Sequence, residues 1–243
     1  MRRYLISVWL TALLLSGCGT PAEPVTPLLP AEPPPVSVMP EVPAEVAPIP
    51  LPEPELTPVP EPAPEEFVAV TDYIPGIYTD LRYASDNNFT HQVIYSFSDA
   101  YLRYGTVQKL AATQESLKAA GYSLLIWDAF RPVSAQFRLW EVCPDPAYVA
   151  NPEKGYSSHS RGNTVDITLV TLDGEPVEMP TDFDDFTAMA DRDYSDVGEE
   201  AAANARLLEE AMTAAGFKPY SAEWWHYSDT ASYPVDETFI PES

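Results

Sequence analysis

From Pro21 to about Pro64 the chain is mostly Pro, Glu, Val and Ala, and it holds no Lys, Arg, Gly or aromatic residue there. Such a stretch carries too little apolar surface to offset the entropy of ordering it, so it cannot form a packed core. A globular fold is thereby confined to the part that begins near Glu66. The prolines favour extended polyproline II at about 3.1 Å per residue, so roughly 44 residues reach on the order of 130 Å. Repulsion between the Glu side chains adds to the extension. The stretch reads as a tether that holds a domain away from a membrane. A Pro-rich ligand for a partner module is the less favoured reading, because basic flanks are missing.

The membrane is suggested by what precedes the tether. Arg2 and Arg3 form a short basic region, Tyr4 to Leu15 is apolar but short for a bilayer span, and small residues follow. This is the pattern of a secretory signal peptide. Leu15-Ser16-Gly17-Cys18 looks like a bacterial lipobox, in which Cys18 is lipidated and becomes the first mature residue. An ordinary signal peptide cut nearby is the alternative. The expected organisation is a lipoprotein signal peptide at 1–17, a lipidated Cys and disordered tether at 18–65, and a catalytic domain at 66–243. The domain would then lie in the bacterial cell envelope, outside the cytoplasm. Cys18 and Cys143 are the two cysteines, which excludes a disulfide framework and leaves Cys143 as a free, packed thiol. A formal net charge of −24 argues against nucleic acid, which needs a Lys/Arg footprint.

Within the domain, Ile77 to Ala84 reads as a short strand and turn, and Asn87 to Thr90 as a loop. Thr106 to Ala120 has helical periodicity, with Leu110 and Leu117 on one side and Gly121 as its stop. Tyr122 to Trp127 is a buried-strand run. Pro132 to Trp140 reads as a helix with proline in its first turn. Thr164 to Val170 reads as an alternating strand, Glu199 to Ala215 as an amphipathic helix with Leu207, Leu208 and Met212 inward, and Ala222 to Tyr227 as a short aromatic strand. Helices and strands without regular alternation indicate α+β with a small antiparallel sheet flanked by helices.

The chain has three histidines, His91, His159 and His226. His159 lies seven residues before Asp166, with Gly162 between them to turn the chain sharply. His226 lies three residues after Glu223. Three ligands drawn from His and carboxylate, with one position open, are what a catalytic zinc needs, and His159, Asp166 and His226 would supply them. Glu223, beside the last ligand but not on the metal, would serve as base. Positions three apart on a regular strand point to opposite faces. A bend or strand end near Trp225 is therefore required if Glu223 and His226 share a cleft.

The segments Ser157-Ser158-His159-Ser160-Arg161-Gly162, through Asp166, and Glu223-Trp224-Trp225-His226-Tyr227 together resemble the zinc D,D-peptidases that act on peptidoglycan stem peptides, and within them the D-alanyl-D-alanine dipeptidase branch. Leu81-Arg82-Tyr83-Ala84 with Asn88-Phe89-Thr90, Trp127 to Pro132, and Phe183-Asp184 carry the same resemblance, which spans roughly Tyr73 to Tyr233. It implies the zinc D,D-peptidase architecture (VanX/Hedgehog-like) and one zinc per chain. The ligands it implies are His159, Asp166 and His226, with Glu223 as general base and Arg131 as the group that stabilises the transition state. It places Tyr83, Ser157 and Asp184 against a dipeptide. The implied reaction is hydrolysis of D-alanyl-D-alanine to two D-alanines by a zinc-bound water. Alternatives are a carboxypeptidase that trims stem peptides and a non-catalytic, lipid-anchored wall-binding module.

Blander readings of individual residues stay open at this point. Arg131 can be the salt-bridge partner of Asp128, Asp184 one surface acid among Asp182 and Asp185, Ser157 a turn residue and Tyr83 a core residue. Trp224 and Trp225 are expected beneath the site. The stretch from Arg131 to His159 is shorter than in the vancomycin-resistance enzymes, so a more open pocket is expected.

Overall fold

The structure, a computed structural model, describes residues 60–146 and 148–242. The signal peptide, Cys18 and nearly all of the tether lie outside the described residues. In chain order the elements are β1 (Phe67–Ala69), α1 (Val70–Tyr73), β2 (Tyr78–Thr79), β3 (Tyr101–Arg103), α2 (Tyr104–Ala119), β4 (Tyr122–Asp128), α3 (Val133–Val142), β5 (Thr164–Thr171), α4 (Glu199–Ala214), β6 (Phe217–Tyr220) and β7 (Glu223–Asp229). Short 3-10 turns occupy Arg82–Ala84, Ser158–Arg161 and Ala188–Ala190. The domain is α+β.

Its main sheet has the order β2-β4-β5-β7-β6, and β1 and β3 form a separate antiparallel pair. The β4, β5, β7 and β6 pairings are antiparallel, whereas β2 joins the edge of β4 in parallel. The sheet is therefore mixed at that edge and not antiparallel throughout. A two-residue strand far upstream is too short to announce its partner or direction in sequence. β5, expected to alternate, is buried along almost its whole length, with only Thr171 half-buried. It lies between β4 and β7, so both of its faces are covered, and polar Thr164, Asp166 and Thr168 are buried with the apolar residues.

Helices α2 and α4 pack on each other; α2 also rests on β4, and α4 on β5, β6 and β7. Leu110, Leu117, Leu208 and Met212 are buried at these contacts, while Leu207 is only half-buried. Gly121 and Gly216 follow the two helices at positive φ, the left-handed C-terminal geometry that favours glycine. Helix α3 begins one residue later than expected: Pro132, with ψ of 145°, is its extended N-cap and not part of its first turn.

The start of the domain is tied down by Arg103. Its guanidinium donates to the carbonyls of Glu65 (2.6 Å), Arg161 (3.0 Å) and Pro234 (3.2 Å), and it stacks over Phe67. One buried cation thus joins the end of the tether, the C-terminal segment and the turn that carries His159. Cys143 is a free, half-buried thiol against the core. Among the described residues no helix is long and apolar enough to cross a membrane.

Candidate metal centre

Three elements converge on one point. His159 sits in the 3-10 turn Ser158–Arg161, Asp166 on β5, and His226 on β7 directly opposite Asp166 in the strand register. The turn is closed by Gly162 at φ 73°. A Cβ there would lie 2.2 Å from the Phe67 ring, so both the backbone and the space require glycine. Ser157 caps the turn, its hydroxyl accepting from the His159 N–H at 3.3 Å. The turn-residue reading of Ser157 is correct, and the same side chain also lines the cavity.

His226 Nδ1 lies 2.9 Å from Asp166 Oδ1 and 3.4 Å from His159 Nε2, and His159 Nε2 lies 3.4 Å from Asp166 Oδ2. Donors about 2.0–2.1 Å from a tetrahedral zinc stand about 3.3–3.4 Å apart; the two separations from His159 Nε2 meet this, while His226 lies at hydrogen-bond distance from the other Asp166 oxygen. The other ring nitrogen of His159 is 2.9 Å from the Ala129 carbonyl. A proton on Nδ1 is held there by that acceptor, which turns the Nε2 lone pair toward the triangle. His159 and Asp166 are buried, and His226 is half-buried.

The charges agree with a cation-binding role. Burial alone would raise the Asp166 carboxyl, but His159 and His226 outweigh it and hold it well below the usual carboxylate range. Burial opposes charge on His159 as well, yet Asp166 and then Asp128 raise it above an ordinary imidazole. Both shifts favour a positive charge among these side chains, which a divalent cation would supply. These three residues can hold a zinc ion.

Glu223 stands beside this triangle, its Oε2 3.5 Å from His226 Nδ1. Both side chains lie in one cleft because β7 does not alternate regularly. Trp224 and Trp225 are consecutive and both buried, and the β6–β7 register shifts between Pro219 and Tyr220. An irregularity in pairing thus lies over Glu223 to Tyr227, the segment in which a bend near Trp225 is expected. Burial, and next the charge of Asp166, raise the Glu223 carboxyl above its ordinary value. The two Trp side chains lie in the core, and Trp224 Nε1 donates to Thr181 Oγ1 at 2.9 Å.

Arg131 reaches the same cavity while paired with Asp128, through Nη2 at 2.6 Å and Nε at 3.1 Å. The salt bridge and the place in the cleft thus coexist. Nη1 donates to Gln136 Oε1 at 2.9 Å, and the guanidinium carbon lies 5.1 Å from the centre of the Tyr83 ring. Burial works against the Arg131 charge, but Asp128 outweighs it and holds the guanidinium above its usual pKa. Asp128 is fully buried and also accepts from the Tyr95 hydroxyl (2.7 Å) and the Ala129 N–H (2.9 Å). Asp128 is legible in the sequence as the partner of Arg131; Tyr95 and Gln136, which fix this arrangement, carry no motif of their own and are not.

Tyr83 is buried, and its hydroxyl donates to Asp184 Oδ2 at 2.7 Å. Asp184 is half-buried and lines the cavity, unlike exposed Asp182, so it is not simply one of the surface acids. Burial pushes its carboxyl up to about 8, with Asp166 and Glu223 adding to the effect and the Tyr83 hydrogen bond opposing it. The cavity has a volume of about 630 Å³. Pro146, Tyr148, Ala150 and Tyr156, from the stretch between Arg131 and His159, still form one wall of it. His91 is exposed and is not among the residues that line the cavity.

Comparison with known proteins places these residues in a lineage. The family model described as D-ala-D-ala dipeptidase matches residues 63–241. The D-alanyl-D-alanine dipeptidase of Escherichia coli is 36% identical over 172 residues, covering 70% of this chain and 89% of that protein. That of Enterococcus faecalis is 35% identical over 194 residues, covering 72% and 96%. That of Streptomyces coelicolor is 35% identical over 187 residues, covering 67% and 91%.

Proposed function

This chain belongs to the D-Ala-D-Ala dipeptidase family of zinc metallopeptidases, and from that premise we propose that it hydrolyses the D-alanyl-D-alanine dipeptide to two D-alanines, with His159, Asp166 and His226 as zinc ligands. The observation that carries the dipeptide reading is Asp184. It is a cavity-lining carboxylate held by the Tyr83 hydroxyl on the same cavity as the metal triangle, where a free ammonium end of a short substrate can be read. A carboxypeptidase acting on longer stem peptides has no free ammonium so close to the bond it breaks.

Zinc in this site supplies a Lewis acid that polarises the scissile carbonyl and draws the pKa of water toward neutrality. Glu223 takes the proton of the attacking water and passes it to the departing amine. Its place beside the donors, 3.5 Å from His226 Nδ1, suits a group that must accept a proton from the water and return it to the amine. Arg131 stays charged at any working pH and stabilises the oxyanion that develops on the carbonyl. Asp128 and Gln136 hold its plane in place, so little reorganisation is needed as charge develops. Ser157 and Tyr83 complete the contacts to the dipeptide.

Purified protein offered D-Ala-D-Ala and, separately, a pentapeptide ending in D-Ala-D-Ala is expected to cleave the dipeptide and not the pentapeptide, and to stop on addition of a chelator. Cleavage of the pentapeptide alone would make the protein a carboxypeptidase. Zinc binding with no cleavage of either would favour a wall-binding module.

A pH dependence follows from Asp184. It pairs with an ammonium only when ionised, and its carboxyl is raised to about 8 without metal. The charge of bound zinc opposes Asp166 and Glu223, so in the loaded enzyme the transition lies below that value. KM for the dipeptide should therefore fall as pH rises from about 6 toward 8, and Asp184→Asn should flatten the profile. An unchanged profile in that variant would remove Asp184 from ammonium recognition.

We also infer that Cys18, in Leu15-Ser16-Gly17-Cys18, carries a lipid and anchors the domain to a membrane of the cell envelope, with residues 18–65 as tether. Cys18→Ala is expected to move the protein from the membrane fraction to the soluble fraction. Unchanged fractionation would refute the anchor.

A further inference from the structure

The ladder between β6 and β7 breaks beside the metal triangle. Pro219 stands opposite Tyr227, and the very next residue, Tyr220, stands opposite Glu223. Trp224, Trp225 and His226 are thus paired with no residue of β6, and Pro219 has no N–H to offer. A buried carbonyl left without a donor is destabilising, so a break of this kind calls for a donor from outside the ladder.

One side chain fills the gap. Arg192 follows the 3-10 turn Ala188–Ala190 and donates from Nη2 to the His226 carbonyl at 3.0 Å and from Nε to the Tyr220 carbonyl at 2.7 Å. Its own backbone N–H reaches the Ser221 carbonyl at 3.3 Å. Nη1 donates to Glu209 Oε2 on α4 and to the Tyr227 hydroxyl, each at 3.0 Å, and more weakly to the Tyr194 hydroxyl at 3.4 Å. The Tyr227 ring centre lies 4.4 Å from the guanidinium carbon. Tyr227 adjoins His226 and points to the opposite face of the strand. Arg192 therefore works from behind the donors, bonding one carbonyl on each strand at the break.

We propose that Arg192 is a positioning residue of the metal centre: it ties the His226 carbonyl to the Tyr220 carbonyl where the β6–β7 ladder is broken, and so fixes the segment that carries both His226 and Glu223. It touches neither metal nor substrate. Its planar fork of five N–H groups can span two strands and a helix at once, which the single ammonium of lysine cannot do. The inference rests on the reading of His226 as a zinc ligand.

Zinc affinity by chelator competition, and the visible spectrum of the cobalt-loaded protein, test it in wild type and in Arg192→Ala, Arg192→Lys, Glu209→Gln and His226→Ala variants. Arg192→Ala is expected to weaken zinc binding by about 10- to 100-fold, the range seen when an outer partner of a ligand is lost, and to shift the cobalt bands. Arg192→Lys should restore only part of the loss. Glu209→Gln, which loosens the same guanidinium on its helix side alone, should lower thermal stability and leave the cobalt spectrum as in wild type. Wild-type zinc affinity and spectrum in Arg192→Ala would overturn the inference, as would an equal affinity loss in Glu209→Gln. If Arg192→Ala does not fold, Arg192→Lys decides: wild-type affinity there overturns the inference. Wild-type affinity in His226→Ala would instead sink the reading of the centre, and this inference with it.

Discussion

Glu223→Ala is expected to leave one zinc per chain in place and to lower kcat by about 10²–10⁴, the usual contribution of a positioned general base. The expectation combines two facts about one side chain. Its carboxylate is 3.5 Å from His226 Nδ1, close enough to reach a water at the metal, yet it is not one of the three donors that converge on a point. It is also held above the ordinary carboxyl range, first by burial and then by the charge of Asp166. A base of raised pKa abstracts a proton more readily than an ordinary carboxylate, and the charge of bound zinc offsets part of that rise. Measured together, metal content and turnover discriminate between roles. Loss of zinc in parallel with activity would make Glu223 a fourth ligand. Retained activity would place the base elsewhere.

His226→Ala is expected to abolish both zinc binding and hydrolysis. It removes one of three donors, a larger loss than the about 10- to 100-fold that follows when only an outer partner is removed. Equilibrium dialysis against micromolar zinc should show well under one ion per chain, and added zinc should not restore turnover. The same centre sets a pH dependence in the wild type. A protonated imidazole cannot ligate, and His159 is held above its ordinary value, so zinc affinity falls as pH drops through the His159 transition. For the metal-free protein the signs run in two directions. The lowered Asp166 contributes stability that is present above about 4 and lost as pH falls further. The raised His159 contributes stability that is present below about 6.5 and lost as pH rises through its folded-state pKa. Metal-free protein is thus favoured by this pair most strongly between those limits, and zinc stabilises it most above them. Thermal unfolding across pH, with and without chelator, reads the crossover.

Much of the site could be read along the chain because its parts are local. His159, Gly162 and Asp166 lie within eight residues, and a turn followed by a strand brings their ends together with little help from the rest of the fold. Glu223 and His226 are three apart, and the requirement for a bend between them follows from strand geometry alone. Helices α2 and α4 were legible from apolar spacing and the glycines that follow them, because periodicity is itself a local property. The parallel β2 edge, strand β6 and the continuous burial of β5 were not, since each depends on which distant segment lies alongside.

Arg131 marks the boundary between the two kinds of information. The sequence offered two roles for it, ion pair with Asp128 or cleft residue, and treated them as rivals. The fold makes them one arrangement, because Asp128 sits buried at the end of β4 and directs the guanidinium into the cavity. Tyr95 and Gln136 hold that arrangement from 33 and 5 residues away in sequence, and no spacing rule relates them to the site. The residue types of the centre, and their order, were determined by the sequence: only three histidines exist, and two of them stand at metal-ligand spacings from acids. That Glu223 and His226 face one cleft, and that Arg192 holds them there, was decided by tertiary structure alone. A register jump and the side chain that repairs it exist only once β6, β7 and α4 have come together.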